Sequence, residues 1–456
     1  MIFKLISNSF IGRFINKGHP RSQKLKKNIG ASFILKGISI IISLINVPIL
    51  LSYLNAEKYG VWLTISSIVM WVQHFDLGLG HGLRNRFAEA LANKDIIRAK
   101  GLVSTAYISM SLLMSIILII TVPLVILSDW NKILNVESIS NLELIKSVLL
   151  VLIIFIMRFV FQLISVILKA DQRPAISEAY MPIGSSISLF LVLLLRYFVP
   201  DSLFIACAII AVPQMLILAL SNVYFFRTQY KQYIPSIKFF GKKHLKDIYS
   251  LGLKFFIGQL AALIMFSSHN FIIAKVINPT EVTVFNIAKK LFGLPLTYFM
   301  IVLSPYWSAI TEAYTKNEFD WIKSNMSKLL RLGLVFSIGI ILLLILSPFL
   351  YKIWIGDRII IPFKLSLIFA VYNIGVILLA PFTHFINGVG KLSLGMRVVI
   401  VKMIVFLPIS IILTNKFGAL GLVLGMLIVN IMPNILFTVK QYKKIITRTA
   451  TGIWNK

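Results

Sequence analysis

The sequence predicts an all-α polytopic membrane protein: about twelve transmembrane helices in two six-helix lobes around a central cationic cavity. Three observations predict it. First, 58% of the 456 residues are hydrophobic and the mean hydropathy is +0.88, far above that of a soluble chain of this size. Second, the apolar runs are roughly twenty residues long, enough for a helix to cross the hydrocarbon, and they lack the strict alternation of barrel strands. Third, Lys and Arg gather in alternate loops, as the positive-inside rule requires. That rule also accounts for the formal charge of +30, so no nucleic-acid partner is expected.

Taken in order, residues 1–28 form a cytoplasmic N-terminal segment. It is polar and basic with no small-residue cleavage pattern, so no cleavable signal peptide is expected. Within it, Phe3, Ile6, Phe10 and Phe14 oppose Lys4, Asn8 and Arg13, the pattern of a short amphipathic surface helix. The N-terminal lobe, 29–226, holds spans near 29–53, 59–82, 102–127, 147–168, 175–198 and 203–225. A basic inter-lobe linker, 227–248, follows. The C-terminal lobe, 249–438, holds spans near 249–276, 283–307, 330–351, 361–386, 394–414 and 419–438, and 439–456 is a cytoplasmic tail.

Roughly two-thirds of the Lys and Arg fall on one set of connections: the N-terminus, 84–100, 169–173, 227–246, 316–331, 390–397 and 440–456. The alternate loops, such as 128–146 and 278–283, are shorter or carry acids (Asp129, Glu137, Glu143, Glu281). Both termini are therefore expected in the cytoplasm and the number of spans is even. Each half opens on a span, a short loop with a glutamate (Glu57, Glu281) and a second span. Six is even, so the repeats would be parallel, related by an axis along the membrane normal. Prolines within the spans (Pro48, Pro123, Pro182, Pro213, Pro295, Pro305, Pro408) predict kinked helices.

The first hairpin, 28–100, carries the most unusual chemistry. In its apolar run IGASFILKGISIIISLINVPILL, residues Ser32, Lys36, Ser39, Ser43 and Asn46 recur at steps of three or four, a polar stripe on a helix. Such a stripe suits a wet cavity, not lipid. After a short turn at 55–58, the second span places His74, Asp76 and His81 near its end and Arg84 and Arg86 just beyond.

Further cations lie inside later spans. Arg158 continues a stripe with Gln162, Ser165 and Lys169. Lys254 shares a face with Gly258, Ala261, Met265 and His269. Lys289 and Lys290 sit with Asn286, Gly293 and Thr297, and Lys402 is near the middle of its span. Each costs about 2.5–3.5 kcal/mol at a helix centre on the insertion scale. Snorkelling fits Lys254, near a helix end, but depth opposes it for Arg158 and Lys402. Acids within spans are chiefly Asp76 and Glu178, too few to neutralise Lys36, Arg158, Lys254, Lys289, Lys290 and Lys402. The surplus points to an anionic substrate. The candidate substrate-binding residues are therefore Lys36, Arg84, Arg86, Arg158, Lys254, His269, Lys289, Lys290 and Lys402, with Asp76 and Glu178 as candidates for ion coupling.

Other chemistries find no support. His74, His81, His269 and His384 lack metal-ligand spacing, so no metal and no cofactor are expected. There is no Walker sequence. Gly78, Gly80 and Gly82 do not follow a strand; they fit close helix packing or a frayed helix end. The lone Cys207 excludes an intramolecular disulfide. The loop 128–146 is short for a polysaccharide polymerase or ligase, so no enzyme is expected. The basic loops would attract anionic membrane lipids, at about 1 kcal/mol per residue near the surface.

NAEKYGVWLTISSI followed by FDLGLGHGLRNRFAEALANKD resembles the first hairpin of the O-antigen and polysaccharide flippases. These form the polysaccharide transport branch of the multidrug, oligosaccharidyl-lipid and polysaccharide exporters. The likeness rests on Glu57, Tyr59, Gly60 and Trp62, on the run Asp76–Leu77–Gly78–Leu79–Gly80, and on Arg86, Ala88 and Ala90. It covers roughly the first hundred residues, and size and the two-half layout extend it. It implies a bacterial inner-membrane protein that moves an undecaprenyl-pyrophosphate-linked oligosaccharide, an O-antigen or capsule repeat unit, to the periplasmic leaflet by alternating access. The partner would be a polyprenyl-pyrophosphate-linked glycan, and a polysaccharide polymerase is a further conceivable partner. A multidrug exporter of the same superfamily should instead hold cationic drugs with buried carboxylates, the opposite sign. A peptidoglycan-precursor flippase is a close relative of the first reading.

Overall fold

The computed structural model describes residues 20–71, 79–171, 173–195, 198–199, 201–248, 265 and 267–455. Long apolar helices dominate: α1 (Pro20–Trp71), α2 (Leu79–Ala92), α3 (Ile96–Leu127), the short α4 (Trp130–Leu134), α5 (Asn141–Phe161), α6 (Leu163–Ala170), α7 (Pro174–Leu195) and α8 (Leu203–Arg227). Then follow α9 (His269–Val276), α10 (Pro279–Thr315), α11 (Phe319–Ile355), α12 (Phe363–Val389), α13 (Ser393–Phe417), α14 (Ala419–Met426) and α15 (Lys440–Ile446). Ten stretches among the described residues are long and apolar enough to cross a membrane. The first of them, 34–69, runs through most of the span expected at 29–53 and the first half of the one expected at 59–82. The expected turn is one residue: Asn55 has φ 62°, and its side chain accepts a hydrogen bond from the Lys58 amide (3.0 Å), capping the continuing helix. Of the span expected near 249–276, most lies outside the described residues, as does the expected helix at 1–15.

The helix ends follow their local chemistry. Asp95 caps α3 through the Arg98 amide (2.9 Å), Ser140 caps α5 through the Glu143 amide (3.3 Å), and Asn278 caps α10 through the Glu281 amide (2.8 Å). Pro279 then occupies the first helical position, where no amide hydrogen is needed. Glu143 does not fold back on its own cap. It accepts from the Leu203 amide (2.9 Å) and the Ser202 hydroxyl (3.3 Å), tying the start of α5 to the start of α8.

The chain divides into two compact units. One comprises 1–54, 69–129 and 140–258; the other 55–68, 130–139 and 259–456. In the first, α8 packs along α5 and α7, α3 along α5 and α2, and α2 along α6. Its interior is apolar but holds a polar knot at Asn222. The carboxamide nitrogen donates to the carbonyls of Phe161 (2.8 Å) and Leu218 (2.7 Å), and its oxygen accepts from the Tyr107 hydroxyl (2.6 Å). Phe161 ends α5 just before Gln162, where the helix is interrupted. Asn222→Leu is expected to orphan the Tyr107 hydroxyl and the Phe161 carbonyl at about 1–3 kcal/mol each, and thermal unfolding in detergent should register it as a clear loss of stability. Gly82 is packed so tightly that a Cβ would lie 2.1 Å from the Ile248 carbonyl oxygen, the close approach its small size allows.

In the second unit, α12 packs against both α10 and α11, and α13 forms a tight hairpin with α14 around Gly418 (φ 64°). One end of α10–α12 meets α15 in a cluster of Ile310, Ala313, Ile322, Met326, Phe385, Ile386 and Ile445. The segment 130–139 is tied down by polar bonds. Asn135 donates to the Ile277 carbonyl (2.6 Å), the Lys275 ammonium to the Lys132 carbonyl (2.6 Å), and the Ser138 hydroxyl to Glu57 (2.7 Å).

Candidate functional site

The first unit holds an open cavity of about 240 Å³ that gathers two of the stripes legible in the sequence. Helix α1 contributes Lys36 and Ser39. The interrupted α5–α6 pair contributes Arg158, Gln162, Ser165 and Lys169. Helix α7 adds Ser177, Glu178, Tyr180 and Met181, and α8 adds Gln214 and Leu218. Helical periodicity alone puts Arg158, Gln162, Ser165 and Lys169 on one face. The convergence of that face with Lys36 and Gln214 is a product of packing. At Gly184 of α7 a Cβ would lie 2.9 Å from Gln214 Cγ, so the absence of a side chain there lets α8 present its carboxamide to the cavity.

Arg158 is the best-defined group. One guanidinium nitrogen donates to Gln214 Oε1 (2.9 Å), another lies 3.2 Å from Met181 Sδ, and the group sits 5.3 Å from the centre of the Phe155 ring. Its Nε is buried without a hydrogen-bond partner, and so is Glu178 Oε2. Among the described residues, Arg158's partners are all neutral. Three cations, Lys36, Arg158 and Lys169, thus face a cavity with one carboxylate, Glu178, and no ion pair links them among the described residues. Burial makes an unmade hydrogen bond to a charged group costly, so the Arg158 Nε is an unmet polar demand beside this cavity.

The other candidate residues are distributed differently. In the second unit, Lys289 Nζ lies 3.5 Å from His269 Nδ1; the imidazole is buried between the rings of Phe285 and Phe406, with its Nε2 unpartnered. Lys290 is half-buried on α10. Lys402, only 7% exposed, donates to Asn434 Oδ1 (2.7 Å) and the Asn430 carbonyl (3.3 Å). Arg84 is exposed on α2. Arg86 shares Glu89 with Arg98, at 3.1 and 3.2 Å, and these hydrogen bonds, that from Arg86 foremost, hold the Glu89 carboxyl below its ordinary range. His74, Asp76 and Lys254 lie outside the described residues, as does the side chain of His81. His384 bonds the Ala380 carbonyl of its own helix (3.1 Å).

An intramembrane cation can snorkel, pair with an acid or await an anion. The structure adds a fourth fate. Lys402 is met by two neutral amide oxygens, and Lys289 lies against an imidazole. Lys169 was legible in the Arg158 stripe but not singled out as a ligand, whereas Gln214, Ser177, Tyr180 and Met181 were missed. For Gln214 a signal existed: a lone carboxamide in the apolar run ACAIIAVPQMLILAL.

Residues 25–311 match the family model described as polysaccharide biosynthesis protein. A Yersinia pseudotuberculosis protein named for O-antigen export is 22% identical over 368 residues, covering 78% of this chain and 81% of that one. A Salmonella typhimurium protein named as an O-antigen transporter is 22% identical over 327 residues, 68% of this chain and 70% of its own. Among solved structures, an inward-facing multidrug resistance MATE family transporter of the MOP superfamily superposes with TM-score 0.73 at 16% identity, over 92% of this chain and 100% of that one. A MOP superfamily transporter from Pyrococcus furiosus, described by the reverse polarity of its binding pocket, gives TM-score 0.64 at 15% identity over 96% and 98%. These structures share the all-α, two-lobe membrane fold read from the sequence. With its family model matched over more than half its length, the chain belongs to the polysaccharide biosynthesis protein family.

Proposed function

We propose that the protein is a flippase for a polyprenyl-pyrophosphate-linked oligosaccharide, an O-antigen or capsule repeat unit, moving it to the periplasmic leaflet of a bacterial inner membrane by alternating access. The observation that carries this is the sign of the first unit's cavity: Lys36, Arg158 and Lys169 against Glu178 alone. Its volume of about 240 Å³ falls below the roughly 300–1,000 Å³ typical of drug-sized ligand pockets. It therefore suits a small anionic head such as the pyrophosphate, with the glycan and the lipid tail held elsewhere. Arg158 would engage phosphate oxygens by charge-assisted hydrogen bonds, with Lys36 and Lys169 supplying field. An inside-negative potential favours outward passage of an anion by about 2.3 kcal/mol per charge per 100 mV. With both termini cytoplasmic, as the loop charges suggest, the exposed Arg84 would draw the headgroup to the cytoplasmic mouth.

The O-antigen names of the relatives support this reading, and the Pyrococcus transporter of similar fold is described by a binding pocket of reverse polarity. Deleting the gene should abolish surface glycan and leave a panel of cationic drugs as potent as before. Intact surface glycan with new drug hypersensitivity would overturn the proposal in favour of a multidrug exporter.

A further inference from the structure

Lys402 stands apart from the cavity chemistry. It lies on α13, which is clamped to α14 by backbone contact: at Gly421 a Cβ would sit 1.9 Å from the Leu413 carbonyl oxygen, and at Gly425 it would meet Ser410 Oγ at 3.1 Å. Beyond this clamp the last helix leaves regular α geometry. Residues 427–431 and 434–439 are π-helical, with Pro433 between them. Proline removes one intrahelical amide donor, and widened π turns are a weaker, less common backbone state. The side chain of Lys402 reaches this irregular stretch. Its ammonium donates to the Asn430 carbonyl (3.3 Å) and to Asn434 Oδ1 (2.7 Å), one acceptor from each π-helical segment. Asn430 in turn donates to the Tyr372 hydroxyl on α12 (3.4 Å), joining three helices in one polar cluster.

Every acceptor in this cluster is neutral, and no carboxylate among the described residues pairs with Lys402. That is the donor set of a site for a monovalent cation: carbonyl and carboxamide oxygens at bonding distance in a buried position. A guest anion would have to compete with both oxygens for the ammonium and would approach a wall of partial negative charge. We propose that these oxygens form a cation site whose permanent occupant is the protein's own Lys402 ammonium, and that this tethered cation fixes the π-bulged helix 427–439 rather than binding cargo. The occupant is a primary ammonium, so an exogenous primary ammonium of the same head should replace it. Lys402 is thus a positioning residue, and the inference stands whatever the transported molecule is.

The test uses the full-length protein in detergent. Lys402→Ala is expected to unfold several degrees below wild type and to regain most of that loss, saturably, on adding methylammonium chloride. Tetramethylammonium chloride at the same ionic strength, too large and lacking N–H donors, should not restore it, and wild type should respond to neither. Lys402→Met fills the space without charge and should show the loss without the rescue. A Lys402→Ala protein that methylammonium leaves unmoved, or a Lys402→Met protein as stable as wild type, would overturn the proposal. If Lys402→Ala cannot be produced, Asn434→Ala keeps the ammonium and removes one acceptor; unchanged unfolding there would equally overturn it.

Discussion

Arg158→Gln is expected to reduce surface-polysaccharide export by about ten- to a hundredfold while leaving protein abundance in the membrane unchanged. The size follows from the chemistry. Hydrogen bonds to charged groups contribute about 1.5–3 kcal/mol, and each 1.4 kcal/mol is about a factor of ten in affinity. The direction follows from the cavity: Arg158 is the most buried of its three cations, and its Nε has no protein partner. Glutamine can still pair with Gln214, so the variant should fold; what it lacks is the charge. Arg158→Lys keeps the charge but not the planar fork and should fall between the two. Export is read as surface glycan in a deletion strain carrying each variant, with immunoblots for protein level. Wild-type export by a normally abundant Arg158→Gln protein would remove the cavity from the transport path.

The largest effect on folding is expected at Gly60→Leu. Gly60 lies in the stretch where the family resemblance is carried, and its helix crosses the start of α10 at bare backbone contact. A Cβ there would stand 1.7 Å from the Pro279 carbonyl oxygen and 3.1 Å from the Thr283 hydroxyl. That hydroxyl is itself fixed, donating to the Ala56 carbonyl (2.7 Å). Neither the peptide nor the capped end of α10 can yield cheaply, and overpacking a tight site costs about 1–3 kcal/mol for small additions. Gly60→Ala should therefore lower the unfolding temperature in detergent, and Gly60→Leu should remove most folded protein from the membrane fraction. Gly339→Ala is the control, since nothing lies within 4 Å of a Cβ at that position in α11. It should be neutral or slightly stabilising, by up to about 1 kcal/mol from helix propensity. Equal behaviour of Gly60→Ala and Gly339→Ala would refute the packing argument.

By itself the sequence determined what depends on short range. Apolar length specifies spans, because a helix in hydrocarbon satisfies its own backbone wherever it is placed. A repeat of three or four specifies a face, which is why Arg158, Gln162, Ser165 and Lys169 share one cavity wall as their spacing requires. Charge excess over acids was likewise countable from the chain, and the described ion pairs leave Lys36, Arg158, Lys289 and Lys402 without a carboxylate. Tertiary structure alone decided which faces meet and what each cation touches. Arg158 finds Gln214 fifty-six positions away, and Lys402 finds Asn434 thirty-two away. No local periodicity relates such pairs; they are set by where glycines such as Gly184 and Gly421 let helices approach. That is also why like-looking lysines diverge. Sign and depth are written residue by residue, but the partner of a buried charge is a property of the neighbouring helix. Lys36 therefore lines an open polar cavity, whereas Lys402 is held by oxygens of its own unit.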